Sequence, residues 1–212
     1  MRCIFGLGNP GRDYDGTRHN CGFLVLDELD RRHGPFTWRK DWGGLVADWP
    51  TAPGGRTLLV KPQTYMNLSG QTVQAAMAYH KLSALDVLVV VDDIHIALGH
   101  LRLRSDGSPG GHNGLKDIQA RIGAIYPRLR MGVDKPPAGG DQVNWVLGRF
   151  LPEEAAAATA MVKRAADCCE AWLVEGMPVA SRFNGPGTPP PARKSPTGDA
   201  QPPVPGAPKP EA

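Results

Sequence analysis

Cysteine is scarce in this chain, and it is badly placed for its usual structural tasks. The 212 residues hold four, Cys3, Cys21, Cys168 and Cys169, with no Cys-x-x-Cys and no disulfide-like spacing. All four therefore read as small buried hydrophobes in a reducing compartment. Long apolar runs are missing too: no stretch of 18 apolar residues occurs, and no basic segment leads into an apolar one at the start. A membrane location is thereby argued against and a cytoplasmic one expected. The six histidines never fall in His-Glu-x-x-His or another zinc-ligand spacing, so no metal and no cofactor is expected. No Gly-x-Ser-x-Gly elbow is present, and Ser69 and Ser108 sit in cap and turn contexts, which argues against a serine nucleophile. A Gly-Lys-Ser/Thr phosphate loop is absent as well.

Charge of one sign barely dominates, with 24 basic against 21 acidic residues. Its distribution is more informative. Between His100 and Lys135 seven Lys/Arg face three acids, a local excess of four. In Leu101-Arg102-Leu103-Arg104 the alternation of a strand puts both arginines on one side, a regular way to line up contacts to phosphates.

What is present is a set of short apolar runs, each next to a glycine-bearing polar stretch. Strands are expected at Arg2 to Leu7, Gly43 to Trp49, Arg56 to Lys61, Asp86 to Val91 and Leu129 to Val133. The run DVLVVV suits a central strand covered on both faces. Helices are expected from Cys21 to His33 with Asn20 as cap, from Ser69 to Leu82, from Asn113 to Ile122, and from Pro152 to a stop at Gly176. Strands alternating with helices predict an α/β fold, one domain over 1–185 with a mixed, twisted sheet and helices on both faces. From Pro186 onward ten of 27 residues are proline, and a disordered Pro-rich tail over 186–212 is expected.

Four polar stretches hold the candidate chemistry: Gly6 to Phe23, Lys61 to Gly70, the pair Asp92–Asp93, and Gly107 to Asp117. Gly6, Gly8 and Gly11 formally match a dinucleotide-binding fingerprint. Pro10, Asp13, Asp15 and Gly16 keep the chain irregular where that motif requires a helix, so an oxidoreductase reading is weak. His19, just ahead of a helix N-terminus that favours a neutral imidazole, is the best candidate base. Asp92 ends the most apolar strand, where open α/β sheets place ligands, and could fix the imidazole's tautomer. Asp93 and His95 are adjacent rivals that the residues alone do not remove. Asn9, Asn67 and Asn113 offer donor and acceptor together, suiting a substrate with peptide carbonyls and ribose hydroxyls. Tyr14 and Tyr65 offer stacking faces.

In order and spacing, GLGNPGRDYDGTRHNCGF, KPQTYMNLSG, the strand ending in DD, GSPGGHNGLKD and RLRMG together resemble the bacterial peptidyl-tRNA hydrolase family. The likeness runs from residue 1 to about 185. It implies a single-domain α/β esterase that cleaves the ester between peptide and the terminal ribose of peptidyl-tRNA, working as a monomer linked to ribosome output. It also implies His19 as the base, Asp92 as its orienter, and Asn9 as a discriminator of blocked from unblocked aminoacyl groups. Tyr14, Tyr65, Asn67 and Asn113 would contact substrate near the ester, and Arg102 and Arg104 the tRNA phosphates. His95, Ala97 and Pro109 depart from the family's common residues. A non-catalytic RNA-binding protein of the same fold is the alternative, against which the intact His19, Asp92, Asn67 and Asn113 argue.

Overall fold

The computed structural model describes residues 1–187, and the predicted tail lies outside the described residues from residue 188 on. Its eight strands are β1 (Arg2–Gly6), β2 (Arg39–Asp41), β3 (Gly44–Trp49), β4 (Thr57–Pro62), β5 (Val87–Asp93), β6 (His100–Arg104), β7 (Arg128–Gly132) and β8 (Gly185–Pro186). The α-helices are α1 (Cys21–His33), α2 (Ser69–His80), α3 (Asn113–Ile122), α4 (Gln142–Leu147), α5 (Ala155–Glu175) and α6 (Ala180–Phe183).

One mixed sheet carries the strands in the order β2-β3-β4-β1-β5-β7-β6-β8. Its centre is parallel, β4 to β1 to β5 to β7, and antiparallel strands extend both sides. Every residue of β5 is buried, as a strand covered on both faces requires. Alternation divides the core in two. Ile4, Leu88 and Val90 pack with α1 and α5 residues such as Leu26, Met161 and Trp172. Phe5, Val89 and Val91 pack on the opposite face with Val73 of α2 and Leu115 of α3. All four cysteines are free and buried, and burial pushes the Cys168 thiol up to about 12. No helix among the described residues is long and apolar enough to cross a membrane.

The parallel strands deliver their carboxyl ends, Gly6, Pro62, Asp93 and Gly132, to one end of the sheet. Helix α1 lies almost on the backbone there. A Cβ on Gly22 would sit 2.2 Å from the Leu7 nitrogen and 2.5 Å from the Val90 oxygen, and one on Gly6 would sit 2.2 Å from the Gly22 oxygen. Only glycine at both positions allows this approach, which brings the turn before α1 against the end of β5.

Two sequence expectations need correction. Asn20 makes no side-chain cap to α1; its amide is spent instead on the first loop, accepting from the Asn9 N–H at 2.8 Å and donating to the Asn9 carbonyl at 3.0 Å. The last long helix starts at Ala155, not at Pro152: residues 152–154 form a turn closed by i−3 bonds from Glu154 N–H to Leu151 and Ala155 N–H to Pro152, with Glu154 paired to Arg18. The short elements β2, α4, α6 and β8 carry no strong sequence signal, and each is held by tertiary contacts.

Candidate active site

A cavity of about 460 Å³ opens at the carboxyl end of the sheet. It is lined by residues from each of the four polar stretches, including Asn9, His19, Tyr65, Asn67, Asp92, Asp93, His112 and Asn113. Strand-end loops converge here because the parallel strands all finish at this edge.

His19 stands in the 3-10 turn Arg18–Asn20 that leads into α1. Its Nδ1 lies 2.9 and 3.0 Å from the two carboxylate oxygens of Asp92, with the side chains 13 % and 2 % exposed. The ring therefore engages the carboxylate through Nδ1 and leaves Nε2 for the cavity. A second histidine, His112, approaches the same Asp92 oxygen through Nε2 at 3.1 Å, and the two imidazole centroids are 5.0 Å apart. His112 is also the residue before α3, where its Nδ1 accepts from the Leu115 N–H at 3.3 Å. Asp92 thus receives two ring N–H groups. Burial opposes its ionisation, but the two histidines outweigh that and hold its carboxyl well below the ordinary value.

The same competition operates on His19. Burial lowers its pKa, but the charge of Asp92 and the hydrogen bond to it together raise it above the ordinary 6.5. The Asp92 charge thus works against the neutral ring expected ahead of a helix N-terminus.

Asp93 and His95 are otherwise engaged. Asp93 pairs with Arg130 at 2.8 Å and accepts the His95 backbone N–H at 2.8 Å, while the His95 side chain is exposed and does not line the cavity. Arg130 also donates to the Ser108 carbonyl, at 2.5 Å, and so fixes the loop before His112.

The asparagines differ in freedom. Asn9 is buried, and its Oδ1 accepts the Met66 N–H at 2.8 Å, so the part left for the cavity is the amide NH2, a donor. Asn67 and Asn113 are exposed at the cavity wall, and Asn113 accepts from Lys116 at 3.2 Å. Tyr65, 53 % exposed, lines the cavity, whereas Tyr14 does not; it stands edge-on to Tyr65 with centroids 6.4 Å apart. Arg102 and Arg104 are exposed on β6, in register with Arg130 and Arg128 of β7.

His112 and α4 were not found from the sequence. The signal for His112 was at best weak: a histidine beside Asn113 in a glycine loop. The donor atoms of His19, Asp92 and His112 lie within 4.8 Å of one another, close enough for a metal ion, although residue spacing gave no hint of it. In the structure these atoms are hydrogen-bonded among themselves.

A mixed α/β sheet with a His–Asp pair, amides and a tyrosine ring at its carboxyl edge is an arrangement suited to hydrolytic chemistry. The chain belongs to the peptidyl-tRNA hydrolase family, whose model matches residues 3–190. It is 43% identical over 187 residues to the peptidyl-tRNA hydrolase of Symbiobacterium thermophilum, covering 86% of this chain and 98% of that protein. A Bacillus cereus peptidyl-tRNA hydrolase is 44% identical over 174 residues, covering 82% of this chain and 93% of the relative. The crystal structure of the Acinetobacter baumannii peptidyl-tRNA hydrolase superposes with a TM-score of 0.80 at 31% identity, covering 87% of this chain and 95% of that one.

Proposed function

We propose that His19, oriented by Asp92, is the general base of this peptidyl-tRNA hydrolase and activates the water that attacks the ester carbonyl. The observation that carries this is the two-oxygen grip of Asp92 on His19 Nδ1. That grip fixes the tautomer with its acceptor at Nε2, facing the cavity. It also stabilises the imidazolium formed when the water gives up its proton. Asn67 and Asn113 hold the water and the peptide and donate to the oxyanion as it develops, while Tyr65, backed by Tyr14, stacks near the ester.

Asn9 selects blocked substrates. Its acceptor is taken by Met66, so it turns a donor to the cavity. A donor suits a peptide carbonyl but offers nothing to a free α-ammonium, whose desolvation would then go uncompensated. Arg102 and Arg104 contact tRNA phosphates, supported by their exposure on one side of β6. The enzyme acts as a monomer, and its four free, buried thiols suit a reducing cytoplasmic compartment in which it clears peptidyl-tRNA left by ribosomes.

Release from N-acetyl-aminoacyl-tRNA and from the unblocked form, measured for wild type and His19→Ala, tests the proposal. Wild type is expected to prefer the blocked substrate, and the variant to lose about 10²–10⁴-fold on it. An undiminished variant rate would remove His19 as the base, and equal wild-type rates on the two substrates would remove the role of Asn9.

A further inference from the structure

Helix α4 contributes Gln142, Val143, Val146 and Leu147 to the cavity wall, yet none of its residues is buried. It is six residues long, follows a Pro-Pro-Ala-Gly-Gly segment in which Gly139 has φ 80, and ends at Gly148. An element so short and so little buried does not hold its own place. What holds it is chiefly the segment immediately before His19.

Arg18 is the centre of that attachment. Its side chain is 2 % exposed, and its guanidinium carbon lies 3.7 Å from the ring centroid of Trp145, on α4, and 5.2 Å from that of Phe150. One terminal nitrogen donates to the Arg149 carbonyl at 2.6 Å and to the Gly148 carbonyl at 3.4 Å, and the other pairs with Glu154 at 2.6 Å. The Arg18 backbone N–H also donates to Gly148, at 3.0 Å, and Thr17 bridges to Arg149. The Nε of Arg18 is buried without a partner, so the ring contacts and the ion pair must offset that loss. Trp145 adds an anchor of its own by donating through Nε1 to the Asp134 carbonyl at 2.8 Å.

We infer that Arg18 is a positioning residue that latches α4 to the catalytic turn. It thereby sets the distance between the peptide-side wall and His19, so that substrate hold and base position are built from adjacent residues of one chain segment. The planar, five-donor guanidinium suits this latch. It stacks on an indole and forks to two carbonyls and a carboxylate at once, and a lysine ammonium does neither. The role rests on the cavity being the peptide site, but the latch itself is observable without turnover.

The test compares wild type, Arg18→Lys and Trp145→Leu by amide hydrogen exchange and by steady-state hydrolysis of N-acetyl-aminoacyl-tRNA. Arg18→Lys keeps the charge opposite Glu154 and loses the stack and the fork; Trp145→Leu removes the ring from the other side. In both, α4 amides at 142–148 are expected to exchange about tenfold faster while those of β1 and β5 keep their rates. KM is expected to rise about tenfold with kcat within about threefold and the pH profile unmoved. Unchanged α4 exchange in either folded variant, or faster exchange across the whole sheet with loss of kcat, would overturn the inference. Should Arg18→Lys fail to fold, Trp145→Leu is compared with Trp145→Phe, which loses the same bond to Asp134 but keeps a ring under Arg18; equal α4 exchange in the two would overturn the inference. Failure of the His19 reading would show elsewhere, as a full rate in His19→Ala.

Discussion

His19 sits between two opposed influences. Burial disfavours its charged form, Asp92 favours it, and Asp92 wins. His112 draws on the same carboxylate, sharing Oδ1 with His19. Removing His112 leaves the Asp92 charge less satisfied, and whichever protonation state His112 holds, the pull on the His19 proton grows. His112→Ala is therefore expected to move the acidic limb of the kcat/KM profile to higher pH and to lower the rate at neutral pH by roughly tenfold. A pH–rate profile of the variant checks this. That His19 and Asp92 stand together was suggested by a histidine before a helix and a carboxylate at a strand end, while the choice of Asp92 over Asp93 rested on the family resemblance. His112 was not legible, because a histidine in a glycine-rich loop ahead of a helix reads as an ordinary loop or cap residue, and only the convergence of loops brings it to Asp92. Asn20 misled for a related reason: cap-competent residues also serve as loop braces, and the choice depends on the neighbour, here Asn9.

At the scale of elements, the contact of α1 with the sheet places His19, the proposed base. Gly22 meets the backbone of Leu7 and Val90 with no room for a methyl group. Gly22→Ala must push α1 outward, so it is expected to cost about 1–3 kcal/mol of stability through overpacking and to widen the gap between His19 and Asp92. Urea denaturation measures the first effect, and loss of kcat with little change in KM measures the second. Strands and helices with strong periodicity were readable to within a residue or two: α1 and α3 match their expected bounds, and β5 runs two residues further, taking Asp92 and Asp93 into the strand. Four short elements were not. Helix α4 is capped locally by Asp141, but it has too few residues to nucleate alone, and its contacts with Arg18 and the bond from Trp145 to Asp134 come from outside any helix-length window.

Across the whole molecule, the sheet separates two tasks. Its carboxyl edge holds the cavity, and β6, near one end of the strand order, displays Arg102 and Arg104 in register with the arginines of β7. Phosphate contacts there imply counterion release, so replacing either arginine by alanine is expected to weaken tRNA binding and reduce the slope of log K against log salt by about 1. Binding measured across a salt series shows whether it does. The fold class was legible from alternating strands and helices, because each apolar run needs a helix to cover it. The joint geometry of the cavity was not, because it depends on which strands are neighbours.

The most direct measurement is the pH dependence of kcat/KM for N-acetyl-aminoacyl-tRNA, compared between wild type and Asp92→Asn. A general base works only when unprotonated, so the rate must fall as pH drops through the His19 pKa. Asp92 raises that pKa, and the wild-type limb is expected above 6.5. Removing the charge leaves burial dominant, so in Asp92→Asn the limb should move to lower pH while the plateau falls by about 10²–10⁴-fold. A limb that stays in place with a plateau close to wild type would contradict the His19–Asp92 assignment.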